Sequence, residues 1–132
     1  MKAAGLLHAE LSRIVAALGH GDTLVIGDAG LPVPPGVPLV DLAIAPGLPS
    51  HVDVVRAVLV ELVVERGYAN AEQPHAAPGV AAALEAVWPS DVPLDRIDHV
   101  QLKERSRSAR AIVRTGEFTP FANLIVVAGV PF

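Results

Sequence analysis

Hydrophobic positions along this chain follow two patterns, one with helical spacing and one of short continuous runs. Near the start, apolar residues recur at helical spacing, and Gly19 follows them in the position that ends a helix. The apolar residues concerned are Leu7, Leu11, Ile14, Val15 and Leu18. The apolar run 23–26 comes next and predicts a buried strand.

Strand and helix patterns alternate along the rest of the chain. Strands are predicted over 39–44, 63–68, 96–100, 111–114 and 124–127. Helices are predicted from Ser50, which has capping-box spacing to Asp53, to about residue 62, and over 80–88 and 101–108. The last of these is charged, and Lys103 is predicted to lie on its solvated face. Loops are predicted over 32–38, 71–79 and 115–123. The alternation indicates a single α/β domain over 1–132, a layered α/β sandwich with a mainly parallel or mixed central sheet.

The amino-acid composition indicates that part of the apolar surface is covered by other subunits. Hydrophobic residues make up 52% of the 132 residues, aromatic residues only 4%, and the mean hydropathy is +0.47. Small apolar side chains therefore exceed what a lone domain of this length easily buries, and we interpret the excess as subunit interface. The longest apolar stretch, 52–64, contains Asp53, Arg56 and Glu61 and is shorter than the roughly 20 residues that a membrane span needs.

Charge and cysteine content narrow the possible partners. The net charge of −4, with scattered Lys and Arg, argues against a nucleic-acid partner, and no membrane association is predicted. The absence of cysteine excludes disulfides, thiolate nucleophiles and cysteine-based metal sites. It also fits a reducing compartment, and with no signal-peptide pattern at the start we expect a cytoplasmic protein.

Candidate chemistry is concentrated around the predicted strand 23–26. Asp28 follows this strand at its carboxyl end, where open α/β sheets bind their ligands. His20 precedes the strand and follows the first helix, whose negative end favours an imidazolium. A histidine in that setting is suited to act as a general acid near neutrality, so a proton-transfer site is the first hypothesis.

Several uncommon motifs occur together in this chain. They are Gly-His-Gly-Asp-Thr-Leu over 19–24, Asp-Ala-Gly-Leu-Pro over 28–32, Asp-Leu-Ala over 41–43, His99, and Arg-Thr-Gly-Glu-Phe-Thr-Pro-Phe-Ala-Asn over 114–123. In this order, and over the whole chain, they resemble the D-ribose pyranase and L-fucose mutarotase family. The segment 28–32 is similar to the ribose branch, because the fucose branch typically has His-Phe in place of Gly30-Leu31.

The resemblance implies a function and an assembly. It implies a cofactor-free, metal-free isomerase that interconverts pyranose and furanose forms of D-ribose or a related monosaccharide. It also implies a ring-shaped homo-oligomer, a pentamer or decamer, with sites between subunits.

The resemblance also implies roles for individual residues. His20 matches the family's catalytic acid, and Asp28 and His99 match its sugar-binding residues. Phe121, Ala122 and Asn123 match a Tyr-Ala-Asn triplet that binds substrate, so Phe121 lacks a phenolic hydroxyl but keeps an aromatic face.

The chemistry agrees with these residue types. Opening a cyclic hemiacetal requires removal of a proton from the anomeric hydroxyl and delivery of a proton to the ring oxygen. General acid/base catalysis suffices, with His20 as the acid. Asp28 and Asn123 would hold vicinal hydroxyls, and His99 would bind the sugar or relay a second proton.

Each of these residues also has a structural interpretation. Asp28 could be an Asx-turn residue, His20 a partner of the helix dipole, and Asn123 a turn cap. His51 and Asp53 suggest a metal site, but Asp53 is explained as a cap residue. Two alternative functions remain: a non-catalytic sugar-binding or transport-accessory oligomer, and a scaffold or regulatory oligomer.

Overall fold

One mixed sheet organises the chain, which a computed structural model describes over all residues 1–132. Its strands are β1 (Thr23–Gly27), β2 (Leu39–Asp41), β3 (Val64–Asn70), β4 (Leu94–Ile97), β5 (Ala111–Arg114) and β6 (Leu124–Ala128). They lie in the order β2-β5-β1-β6-β3-β4. The predicted layered α/β fold with a mainly parallel or mixed sheet is confirmed.

The strand directions bring one set of strand ends to a common edge. β1 pairs in parallel with β5, β5 with β2, and β3 with β4, whereas β6 is antiparallel to both β1 and β3. The carboxyl ends of β1 to β5 and the start of β6 therefore lie along the same edge of the sheet. We call it the carboxyl edge.

Helices cover both faces of the sheet. They are α1 (Ala9–Ala17), α2 (His51–Leu59), α3 (Gln73–Ala76), α4 (Pro78–Val87) and α5 (His99–Ser106). Apolar side chains of α1, α2 and α4 pack with Leu24 and Ile26 of β1 in the main core. Leu102 of α5 packs with Val25 in a smaller core on the other face, because successive side chains of a strand point to opposite faces. No helix has the length and apolar character needed to span a membrane.

Two local predictions are wrong. The predicted strand 96–100 ends at Ile97, because Asp98 caps α5 by accepting a hydrogen bond from the Gln101 N–H at 2.8 Å. His99 is consequently the first residue of a helix rather than the end of a strand. The predicted loop 71–79 contains α3 and the start of α4, since a proline occupies the first turn of each helix, where no backbone N–H is required.

Candidate functional site

Most of the predicted sugar-binding residues meet at the carboxyl edge. Asp28 follows β1 and His99 follows β4, while 121–123 lead into β6. The topology therefore brings together residues that are as much as 95 positions apart in the chain. The edge also carries Asn70, the last residue of β3, which sequence reasoning missed.

Asn123 and Asp28 form a closed pair of hydrogen bonds. The Asn123 Oδ1 accepts from the Asp28 backbone N–H at 2.9 Å, and the Asn123 Nδ2 donates to Asp28 Oδ2 at 2.9 Å. A Cβ at Gly27 would lie 2.5 Å from Leu31 and 3.0 Å from Asn123 Oδ1, so glycine is required for this close approach. Asn123 is fully buried, and it orients the Asp28 carboxylate from behind.

Asp28 also forms a local turn. Its Oδ1 accepts a hydrogen bond from the Gly30 N–H at 2.9 Å, which is the Asx-turn contact considered above. Both carboxylate oxygens are therefore held by the protein. A carboxylate fixed in this way keeps lone pairs for a sugar hydroxyl in a defined direction.

The side chains of Phe121 and His99 pack against each other at the carboxyl edge. Their rings meet edge to face, with centroids 5.4 Å apart and planes at 90°. Phe121 has a backbone φ of 63°, which is rare for a residue with a large side chain, and Gln73 Nε2 donates to its carbonyl at 3.0 Å. The backbone N–H of His99 donates to Glu72 Oε1 at 3.1 Å. The backbones that carry both rings are thus held by side chains from another segment, Glu72 and Gln73.

An open cleft of about 380 Å³ lies at the carboxyl edge, a size suited to a small ligand. Three of the predicted sugar-binding residues line it, namely Asp28, His99 and Phe121. Its other lining residues are Gly30, Leu31, Pro32, Lys103 and Pro120. Ala122 and Asn123 are fully buried and support the cleft instead.

Lys103 was predicted only as part of a solvated helix face, yet it lines this cleft. It lies four residues after His99 on α5, and side chains at that spacing share one face of a helix. The sequence predicts a helix that begins at residue 101, so His99 and Lys103 were not placed on one helix. In the structure α5 begins at His99, which puts both residues on the same face.

His20 is not part of this cleft. It precedes β1, and its Nε2 lies 2.7 Å from Glu65 Oε2, next to the start of β3. The rise along β1 from Thr23 to Gly27 alone spans about 13 Å. A single chain therefore does not bring His20 to Asp28.

His51, considered as a metal ligand, is instead a fully buried structural residue. Its Nε2 donates to the Ile26 carbonyl at 3.2 Å, and its Nδ1 has no hydrogen-bond partner. Burial lowers the pKa of His51 to about 4, although the Ile26 carbonyl and the nearby Glu117 act in the other direction. Ser50 caps α2 as predicted, accepting from the Asp53 N–H at 3.3 Å.

Glu117 connects His51 to the cleft. Its Oε2 accepts from the His51 backbone N–H at 3.2 Å, and its carbonyl accepts from the Ala29 N–H, directly after Asp28, at 2.9 Å. Burial acts to raise the pKa of Glu117, but hydrogen bonds from Thr119 and from His51 outweigh it and lower the pKa. Glu117 is therefore an anionic brace between α2 and the loop that follows β1.

Comparison with known proteins places this chain among sugar isomerases. The model of the RbsD / FucU transport protein family matches residues 1–131. The chain is 52% identical to a D-ribose pyranase of Paracidovorax citrulli and 50% identical to one of Pseudomonas putida (strain W619). Each alignment covers 100% of both proteins.

Solved structures agree with this placement. The structure of Bacillus subtilis RbsD complexed with D-ribose matches with a TM-score of 0.95 and 43% identity, over 100% of both chains. A fucose mutarotase from Streptococcus pneumoniae, solved with L-fucose, matches with a TM-score of 0.78 and 21% identity, over 96% of this chain and 100% of that one. The second match shows a shared fold.

Proposed function

The chain belongs to the RbsD / FucU transport protein family, and on that basis we propose that it interconverts the pyranose and furanose forms of D-ribose. Full-length identity of 52% to a D-ribose pyranase supports this function. So does the near-identical fold of a relative that holds D-ribose. The observation that carries the proposal within this chain is the cleft in which Asp28, His99 and Phe121 converge.

The side chains at the cleft match the groups of a sugar. The Asp28 carboxylate accepts hydrogen bonds from sugar hydroxyls, and the imidazole of His99 reaches a neighbouring oxygen. The Phe121 ring offers an apolar face to the C–H groups of the sugar. Ala122 and Asn123 act from behind, since both are fully buried.

His20 supplies the proton-transfer group in this proposal. As an imidazolium it donates a proton to the ring oxygen while the anomeric hydroxyl releases its proton to solvent water, the C1–ring oxygen bond breaks, and the chain opens to the aldehyde. Closure through a different hydroxyl then gives the other ring size. In closure the neutral His20 ring takes the proton of the attacking hydroxyl while water protonates the aldehyde oxygen, so the cycle regenerates the imidazolium and needs no further cofactor.

His20 precedes β1, whereas the cleft lies at the carboxyl edge, beyond the other end of the same strand. We therefore propose that each site is formed by two chains. His20 of one subunit would then face the cleft of its neighbour. This arrangement fits the proposed ring-shaped pentamer or decamer, since a repeated contact between two different surfaces forms a ring when the rotation between neighbours closes. We place the enzyme in the cytoplasm, where its lack of cysteine fits a reducing compartment.

Saturation-transfer NMR on D-ribose tests the activity. Catalysed exchange between pyranose and furanose signals is expected at substoichiometric protein. Line broadening without exchange would instead support the non-catalytic sugar-binding alternative, and neither effect would support a scaffold.

Mixing two inactive variants tests the shared site. His20→Ala and Asp28→Asn proteins are each expected to be inactive, and subunits exchanged between them should regain activity at sites that combine an intact His20 with an intact Asp28. Failure to regain activity in demonstrably mixed oligomers would place both residues of a site in one chain.

A further inference from the structure

We propose that Asn70 is a positioning residue that holds the His99 ring in the tautomer with its proton on Nε2. The inference deepens the proposed function, because it states what His99 offers a sugar: a hydrogen-bond donor and not an acceptor. It follows from a series of hydrogen bonds that starts at a backbone N–H, whose donor role is unambiguous.

Two contacts fix the orientation of the Asn123 amide. Its Oδ1 faces the backbone N–H of Asp28 at 2.9 Å, and an N–H can only donate. Its Nδ2 faces the Asp28 carboxylate at 2.9 Å, and a carboxylate oxygen accepts. Two independent contacts therefore assign the oxygen and the nitrogen of Asn123 in the same way.

The oriented Asn123 amide in turn fixes the orientation of the Asn70 amide. The Nδ2 of Asn123 has a second hydrogen, which it donates to Asn70 Oδ1 at 3.2 Å. The amide nitrogen of Asn70 must then point the other way. Both amides are fully buried, so no water competes for these contacts and a flipped amide would leave two donors facing each other.

The oriented Asn70 amide then fixes the position of the proton on the His99 ring. Asn70 Nδ2 lies 3.2 Å from His99 Nδ1, and since the amide nitrogen donates, Nδ1 must accept. The hydrogen of a neutral ring is therefore on Nε2. His99 lines the cleft, so this N–H is the ring's donor toward a ligand oxygen. The Glu72 carboxylate holds the backbone of the same residue through the His99 N–H at 3.1 Å.

Asp28 and His99 therefore form a complementary acceptor and donor pair at one edge of the cleft. Asp28 presents an acceptor, and His99 presents a donor, and both are set by the same two amides. A vicinal diol satisfies such a pair, with one hydroxyl donating to Asp28 and the next accepting from His99. Within the site His99 binds an oxygen lone pair, which leaves the proton transfer to His20.

Two-bond ¹⁵N–¹H NMR of the histidine rings tests this directly, because it distinguishes the two neutral tautomers and the imidazolium. The His99 signals are assigned by their loss in His99→Gln. The sugar-free protein at a pH above 7.5 is expected to show His99 as the Nε2–H tautomer. An Nδ1–H tautomer would overturn the proposal.

Asn70→Asp supplies the decisive variant. A carboxylate still accepts from Asn123 but can no longer donate to His99, so the His99 ring should acquire a proton on Nδ1. Gln101→Glu is the matched control, an amide-to-acid change on an exposed position of α5, and it should leave the His99 pattern unchanged. A His99 pattern that is the same in Asn70→Asp as in the wild type would contradict the role of Asn70.

A second variant covers the case in which the buried carboxylate prevents folding. Asn70→Ala removes the donor without adding charge, and His99 is then expected to populate both tautomers. Ribose should bind about tenfold more weakly to either variant, as expected for one lost hydrogen bond. Since the tautomer is measured without sugar, a wild type that shows Nε2–H but exchanges no ribose would refute the proposed function and leave this inference standing.

Discussion

His20 and Asp28 lie beyond opposite ends of strand β1, although the strand is only five residues long. His20 is close to Glu65, where β3 begins, and Asp28 is held by Asn123, where β6 begins. A site that combines His20, the proposed acid, with Asp28, the proposed sugar-binding carboxylate, would therefore need two chains. Substitutions at His20 therefore test catalysis, whereas substitutions around Asp28 test sugar binding.

Replacing His20 with Ala should remove catalysis and leave the fold intact. The His20 side chain is 61% exposed, so its contact with Glu65 contributes less than about 1 kcal/mol to stability. Loss of a general acid should slow ribose exchange by about 10² to 10⁴-fold. Exchange rates by NMR and thermal unfolding check both parts, with His75→Ala as a control at an exposed histidine outside the cleft. Wild-type exchange in His20→Ala would remove His20 from the mechanism.

The carboxyl-terminal aromatic residue should contribute to assembly. Phe132 is 99% exposed in the isolated chain, and Val130 beside it is also exposed. Apolar and aromatic side chains are enriched at subunit interfaces, so we expect this segment to pack between subunits. Phe132→Asp should shift sedimentation toward smaller species at micromolar concentration. A wild type that sediments as a monomer would contradict both this role and the shared site.

The parts of the fold that were predicted correctly carry strong local signals. β1, β5 and β6 are short apolar runs buried in the centre of the sheet, and α2 begins with the Ser50 cap. The segment 71–79 was misassigned because its prolines resemble loop residues, whereas in the structure they occupy the first turns of helices. Proline in the first turn of a helix and proline in a loop have the same appearance in a single sequence.

Local patterns and the family resemblance predicted Asp28, His99 and Phe121, which line the cleft. They did not predict Asn70 or Lys103. Asn70 was missed although the sequence carries a usable signal, since Tyr68-Ala69-Asn70 repeats the aromatic-Ala-Asn pattern of 121–123. The two asparagines are 53 residues apart and meet only because β3 and β6 pair antiparallel. Contacts of that kind depend on strand order and register, which no local pattern determines.

Removing the Asn123 amide should cost both stability and binding. Asn123→Ala leaves the Asp28 N–H without its acceptor and Asn70 Oδ1 without its donor, the first contact being half-buried and the second fully buried. Unsatisfied groups of this kind cost about 1 to 3 kcal/mol, so the midpoint of urea unfolding should fall clearly. Gln101→Ala, at an exposed position of α5, serves as the control. An unchanged midpoint would show that water replaces the amide.

His51 should make the protein sensitive to acid. Its folded pKa of about 4 lies below the ordinary value of 6.5, because burial disfavours the charged ring. The unfolded state therefore binds a proton more readily, and stability is fully present above pH 6.5 and declines as the pH falls toward 4. The loss is on the order of 3 kcal/mol.

Urea unfolding between pH 7 and 4 measures this loss. His51→Gln keeps a neutral donor for the Ile26 carbonyl and should flatten the pH dependence, whereas His75→Gln, at an exposed histidine, should not. If both variants retain the wild-type slope, the acid sensitivity arises from groups other than His51.

Restoring a hydroxyl at Phe121 should strengthen ribose binding. Phe121 already has the left-handed backbone conformation, with φ at 63°, and its ring is placed against His99, so tyrosine introduces only one oxygen at the ring edge. A neutral hydrogen bond to a sugar hydroxyl contributes about 0.5 to 1.5 kcal/mol, which corresponds to at most about tenfold tighter binding. Calorimetric titration of Phe121→Tyr with D-ribose measures the change, and Phe118→Tyr, at an exposed ring outside this cleft, is the matched control. Weaker ribose binding in Phe121→Tyr would mean that the cleft around Phe121 is shaped for a different monosaccharide, because the added oxygen would then displace the sugar and not bind it.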